Sequence, residues 1–243
     1  MIRFANRLLT PLRTVGLGVV FAFICAASSN VAAEVLAFWN PTGTVDSANP
    51  LAPASVSPNV VSAGNMSGGP GLTSPGLFAN AYEFDNWAAG AFDANDYLQF
   101  SVTGNNVTYQ SIAFNIYNNF DGQGSWEIRS VVDGFATALD AGTFTGIFAA
   151  GLPLTANVSA IGQQSGTVTF RLYTFNNSGT TSPLQRGIRG TAAGGTGLSV
   201  IGTAVPLVPV AVTQPVPALS HVALAVLVLL LVAFAFVMRR QQR

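Results

Sequence analysis

Residues 167–175 read TVTFRLYTF. In an extended chain Val168, Phe170, Leu172 and Thr174 fall on one side. Thr167, Thr169, Arg171, Tyr173 and Phe175 fall on the other. Successive side chains of a β-strand point to opposite faces, so this alternation predicts a strand with one face in a core. The segment SIAFNIY at 111–117 repeats the pattern, with Ile112, Phe114 and Ile116 on one face. Working outward, further β-like runs occupy 35–39, 97–103, 125–132, 143–148, 154–161 and 198–205, rich in Val, Ile, Thr, Phe and Tyr. The run Asn-Asn-Phe-Asp-Gly-Gln-Gly at 118–124 is a turn signal between two of them. No amphipathic helix of three turns interrupts the series, and 133–141 offers one helical turn or a loop. Many short strands separated by Gly-rich turns predict an all-β domain, a two-sheet antiparallel β-sandwich of jelly-roll type, over residues 34–204. Residues 44–80 are rich in Ser, Ala, Pro, Asn and Gly; a structureless stretch of that length is unusual in a compact domain, so some strand pairing is expected within it.

The two ends are of a different kind. Arg3, Arg7 and Arg13 precede the apolar run VGLGVVFAFICAA at 15–27, and Val31-Ala32-Ala33 follows with small side chains. This is the layout of a signal peptide, with cleavage by signal peptidase after Ala33 and domain boundaries of 1–33 and 34–204. Residues 205–217, VPLVPVAVTQPVP, form a Pro-rich extended spacer. Residues 219–238, LSHVALAVLVLLLVAFAFVM, then make an apolar segment. Twenty helical residues at about 1.5 Å each span roughly 30 Å, the thickness of a bilayer core. A single C-terminal transmembrane helix is therefore expected, stopped by Arg239, Arg240 and Arg243. The positive-inside rule puts that basic tail in the cytoplasm and the β-domain outside the inner membrane.

The segment Val216-Pro217-Ala218-Leu219-Ser220, followed by an apolar helix and a short arginine tail, resembles the IPTL-CTERM sorting signals, relatives of the PEP-CTERM signals. Pro217, Leu219 and Ser220 match the motif. Val216 and Ala218 are mild substitutions, and His221 and Val222 stand where the family often has an acid and a tryptophan. The resemblance covers 216–243, that is, the end of the spacer and the C-terminal sorting region of 218–243. It implies processing by an exosortase-like sorting enzyme of a Gram-negative bacterium, then passage to the cell surface or extracellular matrix. The middle of the chain is similar to the extracellular domains that often precede PEP-CTERM tails. It carries Ala37-Phe38-Trp39-Asn40 in its first strand, Trp126 to Phe135 (WEIRSVVDGF) in the centre, and Arg171-Leu172-Tyr173 later. Val131 departs from the usual small polar residue, and the GLSVIG run at 197–202 lacks the usual aspartate. That resemblance implies architecture and no particular chemistry.

Charge excludes several functions. Charged residues are 8% of the chain, lysine is absent, and all ten acids lie within 34–215 alongside Arg129, Arg171, Arg186 and Arg189, a formal charge of −6. No basic stripe is available to neutralise phosphates, so nucleic acid is not an expected partner. The lone Cys25 lies in the N-terminal apolar run, leaving the exported domain without disulfide, thiolate or cysteine metal site. The lone His221 lies at the membrane edge, so a Ser-His-Asp triad cannot form in the domain. No nucleophile elbow, zincin motif, P-loop or dinucleotide fingerprint occurs. Glu83, Asp85, Asp93, Asp96, Glu127 and Asp133 remain as candidate carboxylate pairs, but a catalytic role is not expected. No cofactor is called for. Calcium is the one candidate ion, at Asp93, Asn95 and Asp96, against the reading in which these side chains cap turns. Trp39, Trp87 and Trp126 are either core anchors or a sugar-stacking platform. Trp87, within the aromatic and acidic run 79–96, is the candidate ligand contact.

The expected protein is thus a non-enzymatic cell-surface or matrix component whose partners are the inner membrane, signal peptidase and the sorting enzyme. The alternative is a carbohydrate-binding module, calcium-dependent or not, with an extracellular polysaccharide as partner.

Overall fold

The computed structural model describes residues 32–118, 122–146, 148–177 and 185–205, together with 226, 228–230, 239 and 240. Among the described residues of 34–204 the regular elements are strands and three short 3-10 turns. In chain order the strands are β1 (Glu34–Trp39), β2 (Thr44–Asp46), β3 (Ser55–Val56), β4 (Ser62–Ala63), β5 (Ser67–Gly68), β6 (Leu77–Ala79) and β7 (Ala81–Phe84). Then follow β8 (Tyr97–Asn118), β9 (Gln123–Ser130), β10 (Asp140–Thr145), β11 (Phe148–Asn157), β12 (Gln163–Phe175), β13 (Arg186–Arg189) and β14 (Leu198–Ala204). Every strand pair described is antiparallel.

Strand β8 organises the domain. The sequence predicts separate strands at 97–103 and 111–117; the structure joins them into one strand of 22 residues. Its N-terminal half pairs with β12, which pairs in turn with β9 and β10. Its C-terminal half pairs with β11 on one edge and with β14 and β13 on the other. Inward side chains recur every second residue at Leu98, Phe100, Val102 and Gly104, then at Val107 and Tyr109, then at Ile112, Phe114, Ile116 and Asn118. The parity changes twice, at the exposed pair Asn105–Asn106 and at Gln110, where the ladders with β12 and β14 skip residues. Such bulges add one residue to one strand, bend it and sharpen its twist. They let one strand serve both layers of the domain. The two sheets of the expected sandwich are therefore layers of one twelve-stranded sheet folded over along β8, accompanied by the small β2–β6 sheet. The low-complexity region 44–80 does pair, through β2–β6, β3–β1, β4–β8, β5–β8 and the Leu51–Met66 bridge.

The core lies between the layers. Trp39 on β1 packs on Phe100 with ring centroids 5.3 Å apart, Tyr109 meets Phe170 at 5.3 Å, and Phe114 meets Trp126 edge-on at 5.3 Å. Val168, Phe170, Leu172 and Thr174 are all buried, so the face assigned to β12 from its alternation is the inner one. Strands β7 and β13 were not foreseen. They read AYEF and RGIR, and both place charged side chains, Glu83 and Arg186, at fully buried positions.

Residues 1–31, 206–225 and 241–243, and with them most of the signal peptide, the sorting motif 216–220 and Arg243, lie outside the described residues. Ala33 is exposed immediately before β1. Among the described residues no helix is long and apolar enough to cross a membrane. Within the expected transmembrane segment only Val226 and 228–230 are described; they are helical and exposed, as are Arg239 and Arg240 beyond it. The transmembrane helix therefore rests on the sequence.

Candidate functional site: a cleft beside β7

The chain leaves β7 at Phe84 and does not reach β8 until Tyr97. The intervening residues 85–96 form one side of a cleft of about 920 Å³ whose other wall is the segment 71–73. The two segments are tied at the base. Asp85 and Thr73 exchange backbone hydrogen bonds of 2.8 and 3.2 Å. Asn86, at φ 67°, donates from Nδ2 to the Gly71 carbonyl at 2.7 Å, and the Gly71 amide donates to Asn95 O at 3.1 Å. Asparagine tolerates this left-handed backbone conformation better than most residues, which allows the abrupt turn out of β7.

Trp87 sits behind the cleft and is 3% exposed. Its indole N–H donates to the carbonyls of Phe84 at 2.9 Å and Arg186 at 3.2 Å. Trp39 and Trp126 are likewise buried, at 0% and 5% exposure. None of the three presents an open ring face to a sugar. Trp87 instead fastens the loop to β7 and β13, and the sequence could not show this because it depends on a carbonyl ninety-nine residues away.

Beyond Trp87 the loop runs through small residues, Ala88 to Ala91. Asn177 Nδ2 donates to Ala88 O and the Asn176 amide to Gly90 O, both at 2.7 Å. Phe92 then docks on the outer face of the sheet, 4.8 Å from the Tyr173 ring and 5.7 Å from Phe175, with the Arg129 guanidinium 4.0 Å from its centroid. Sequence reasoning passed over Phe92; its spacing after Trp87 was the available signal.

The calcium candidates share this loop. Asp93 Oδ1 accepts the Asn95 amide at 2.8 Å, and its carbonyl accepts the Asp96 amide at 3.3 Å, which is an Asx turn. Asp96 is buried beside Gly71, while Asp93 and Asn95 are exposed at the cleft rim. Burial raises the Asp96 carboxyl above its ordinary range, and the Asp93 charge raises it further. Burial also raises Asp85, against a hydrogen bond from Gln185. Among the described residues no three His, Cys, Asp or Glu side chains converge closely enough to hold a metal ion. The carboxylates that line the cleft, Asp85, Asp93 and Asp96, are hydrogen-bond acceptors, and among the described residues no arginine or histidine lines it.

The resemblance-bearing residues 126–135 and 171–173 meet next to this loop. Ser130 Oγ accepts the Val132 amide and caps the 3-10 turn Val131–Asp133. Asp133 accepts from the amides of Ala136 and Thr137 and from the Thr137 hydroxyl, and these bonds hold its carboxyl below the ordinary range. Gly134 and Phe135 follow at φ 70° and 63°, which swings the Phe135 ring onto Arg171, 3.9 Å from the guanidinium. Glycine accepts that backbone at little steric cost, whereas phenylalanine there is held by its surroundings.

Residues 214–243 match the IPTL-CTERM motif, so the chain carries a C-terminal sorting signal. No curated protein matches the chain. Among solved structures, a carbohydrate-binding module of lichenase 5A from Cellvibrio mixtus, in complex with cellotriose, aligns at 13% identity with a TM-score of 0.31, covering 71% of this chain and 100% of the module.

Proposed function

We propose that this chain is an exported, non-enzymatic surface or matrix protein. Signal peptidase removes residues 1–33. The apolar segment 219–238 holds the chain in the inner membrane with its arginine tail in the cytoplasm. An exosortase-like enzyme then acts near Val216–Ser220, and the β-domain passes to the cell surface or matrix. The sorting signal at 214–243, behind a Pro-rich spacer, carries this reading. The test is the intact mass of the product recovered from membrane, surface and medium fractions of a Gram-negative host with such a sorting system. A surface or medium product that starts at Glu34 and ends near Pro217–Ser220 is expected. A membrane product still ending at Arg243 would instead make the protein a stably anchored one.

A second reading, a carbohydrate-binding module, is supported by one observation: the open cleft beside β7 has a volume within the roughly 300–1,000 Å³ common for small-ligand sites. Calcium dependence, on Asp93, Asn95 and Asp96, belongs to this reading.

A further inference from the structure

The lining of the cleft narrows what can occupy it. Thr73, Asn86, Asp93 and Asn95 are exposed at its walls, and Asp85 and Asp96 lie deeper. Carboxylates accept hydrogen bonds and donate none when ionised. A ligand that satisfies this wall must supply donors. With no cationic side chain among the described residues of the lining and a formal charge of −6 on residues 34–215, a ligand bearing carboxylates or sulfates meets net repulsion, with only neutral donors such as Thr73 and Asn95 to receive it. Between the acceptors lie Gly71, Ala88, Ala89, Gly90 and Ala91, whose short side chains allow a flat ring to approach the backbone, and Phe92 closes one end as an apolar wall. Polar acceptors around a small apolar floor match a pyranose, which presents C–H faces and a rim of hydroxyl donors.

Preorganisation supports the assignment. Both walls are fixed without any ligand: Asn86 and Asn95 bind Gly71, Asp93 caps its own turn, Trp87 fastens the floor, and Phe92 is held by Arg129 and Tyr173. A site whose loops are already ordered loses less entropy on binding.

We propose that the cleft between residues 71–73 and 85–96 binds neutral, hydroxyl-rich saccharides and rejects acidic ones. The inference rests on the carbohydrate-binding reading and gives that reading its place and ligand class.

Gly90 provides the test, because a Cβ built there meets nothing within 4 Å and its backbone is not left-handed. Gly90→Trp adds an indole at the cleft wall at a position whose Cβ is free of contacts, and is expected to obstruct the cleft with the fold retained. The full chain, in a non-ionic detergent, is run by native affinity electrophoresis through gels containing a neutral β-glucan, a polyuronate or chitosan, with thermal melting of each variant as the check on folding. Retardation by the neutral glucan alone, reduced at least tenfold in affinity by Gly90→Trp and weakened by Asn95→Ala, is expected. Equal retardation of wild type and a folded Gly90→Trp would overturn the cleft as the site while leaving the glycan-binding reading intact. Retardation by the polyuronate would overturn the exclusion of acids. Binding to chitosan alone would make an amine the recognised group and overturn the neutral ligand class. Absence of retardation in all three gels would overturn both the inference and the reading beneath it.

Discussion

Arg129 on β9 and Arg171 on β12 stand directly opposite each other in the antiparallel ladder, two like charges in one cross-strand pair. Such pairs destabilise a sheet unless each charge is answered locally. Here each guanidinium is turned to a different partner set. Arg129 donates from Nε and one terminal nitrogen to Glu127 at 2.9 and 2.7 Å, from the other to the Phe135 and Ala136 carbonyls, and stacks on Phe92. Arg171 donates to Gln99 at 3.0 Å and lies between the Tyr97 and Phe135 rings, 3.9 Å from each. The WEIRSVVDGF and RLY segments are thus halves of one arrangement.

Arg129→Ala is therefore expected to cost more than Arg171→Ala. The first leaves Glu127 and two carbonyls without a partner and releases Phe92 from its cation; the second loses one hydrogen bond and two ring contacts. Charge-assisted hydrogen bonds contribute about 1.5–3 kcal/mol each way of counting, so a loss of roughly 2–3 kcal/mol is expected for Arg129→Ala. Urea midpoints at constant m-value measure it. Equal losses for the two variants would show that the Glu127 and carbonyl contacts contribute little.

Glu83 supplies a pH dependence. It is fully buried on β7, among the described residues neither carboxylate oxygen has a hydrogen-bond partner, and Arg189 lies 3.9 Å away. Burial dominates and pushes its pKa up to about 8, against Arg189, which lowers it, and with Asp85, which raises it. In the unfolded chain the group ionises near its ordinary 4.5. Below that pH both states are protonated and the contribution to stability is fully present. Between about 4.5 and about 8 the unfolded chain releases the proton first, so stability falls as pH rises, on the order of 1 kcal/mol per pH unit. Above about 8 the slope from this group ends. Glu83→Gln should remove this component and raise the melting temperature most at pH 8–9, which melting curves across pH 5–9 would reveal. Parallel curves for wild type and variant would place the carboxylate in contact with water.

The first bulge of β8 depends on a left-handed asparagine. Asn106 lies at φ 52°, with its amide bonded to Ser165 Oγ at 3.0 Å. Asn106→Gly should be neutral within a few tenths of a kcal/mol, whereas Asn106→Val should cost about 1–2 kcal/mol, because a β-branched side chain clashes in this conformation. Thermal melting distinguishes them.

Close packing of β10 on β9 predicts a further loss. A Cβ at Gly142 would lie 2.7 Å from Trp126 Nε1 and 2.8 Å from Cε2, ring atoms of a side chain wedged against Phe114. Gly142→Val should destabilise by about 1–3 kcal/mol, as overpacking commonly does. Near-ultraviolet circular dichroism should change with it, since the indole must move.

By itself the amino-acid sequence determined the C-terminal sorting signal. The sorting signal, like the expected signal peptide and Pro-rich spacer, is a linear feature: hydrophobic length, proline placement and arginine flanks carry the information, and no distant residue is needed to read it. The strands with clean alternation, β12 and the C-terminal half of β8, were legible for the same reason, because period two is local. The tertiary structure decided what is non-local. That β8 is one strand with two bulges depends on β12 and β14 holding the chain extended through TGNNVTYQS, a run whose own preference is for a turn. Strands β7 and β13 form although they carry Glu83 and Arg186, because Gly187 lies opposite Glu83 with no side chain to hold the backbones apart, and Asn118 and Asn177 receive the Arg186 guanidinium from elsewhere in the chain. Trp87, the residue the sequence singled out for a ligand, became a fastener for the same kind of reason: its hydrogen-bond partner on β13 comes beside it only when the sheet has closed.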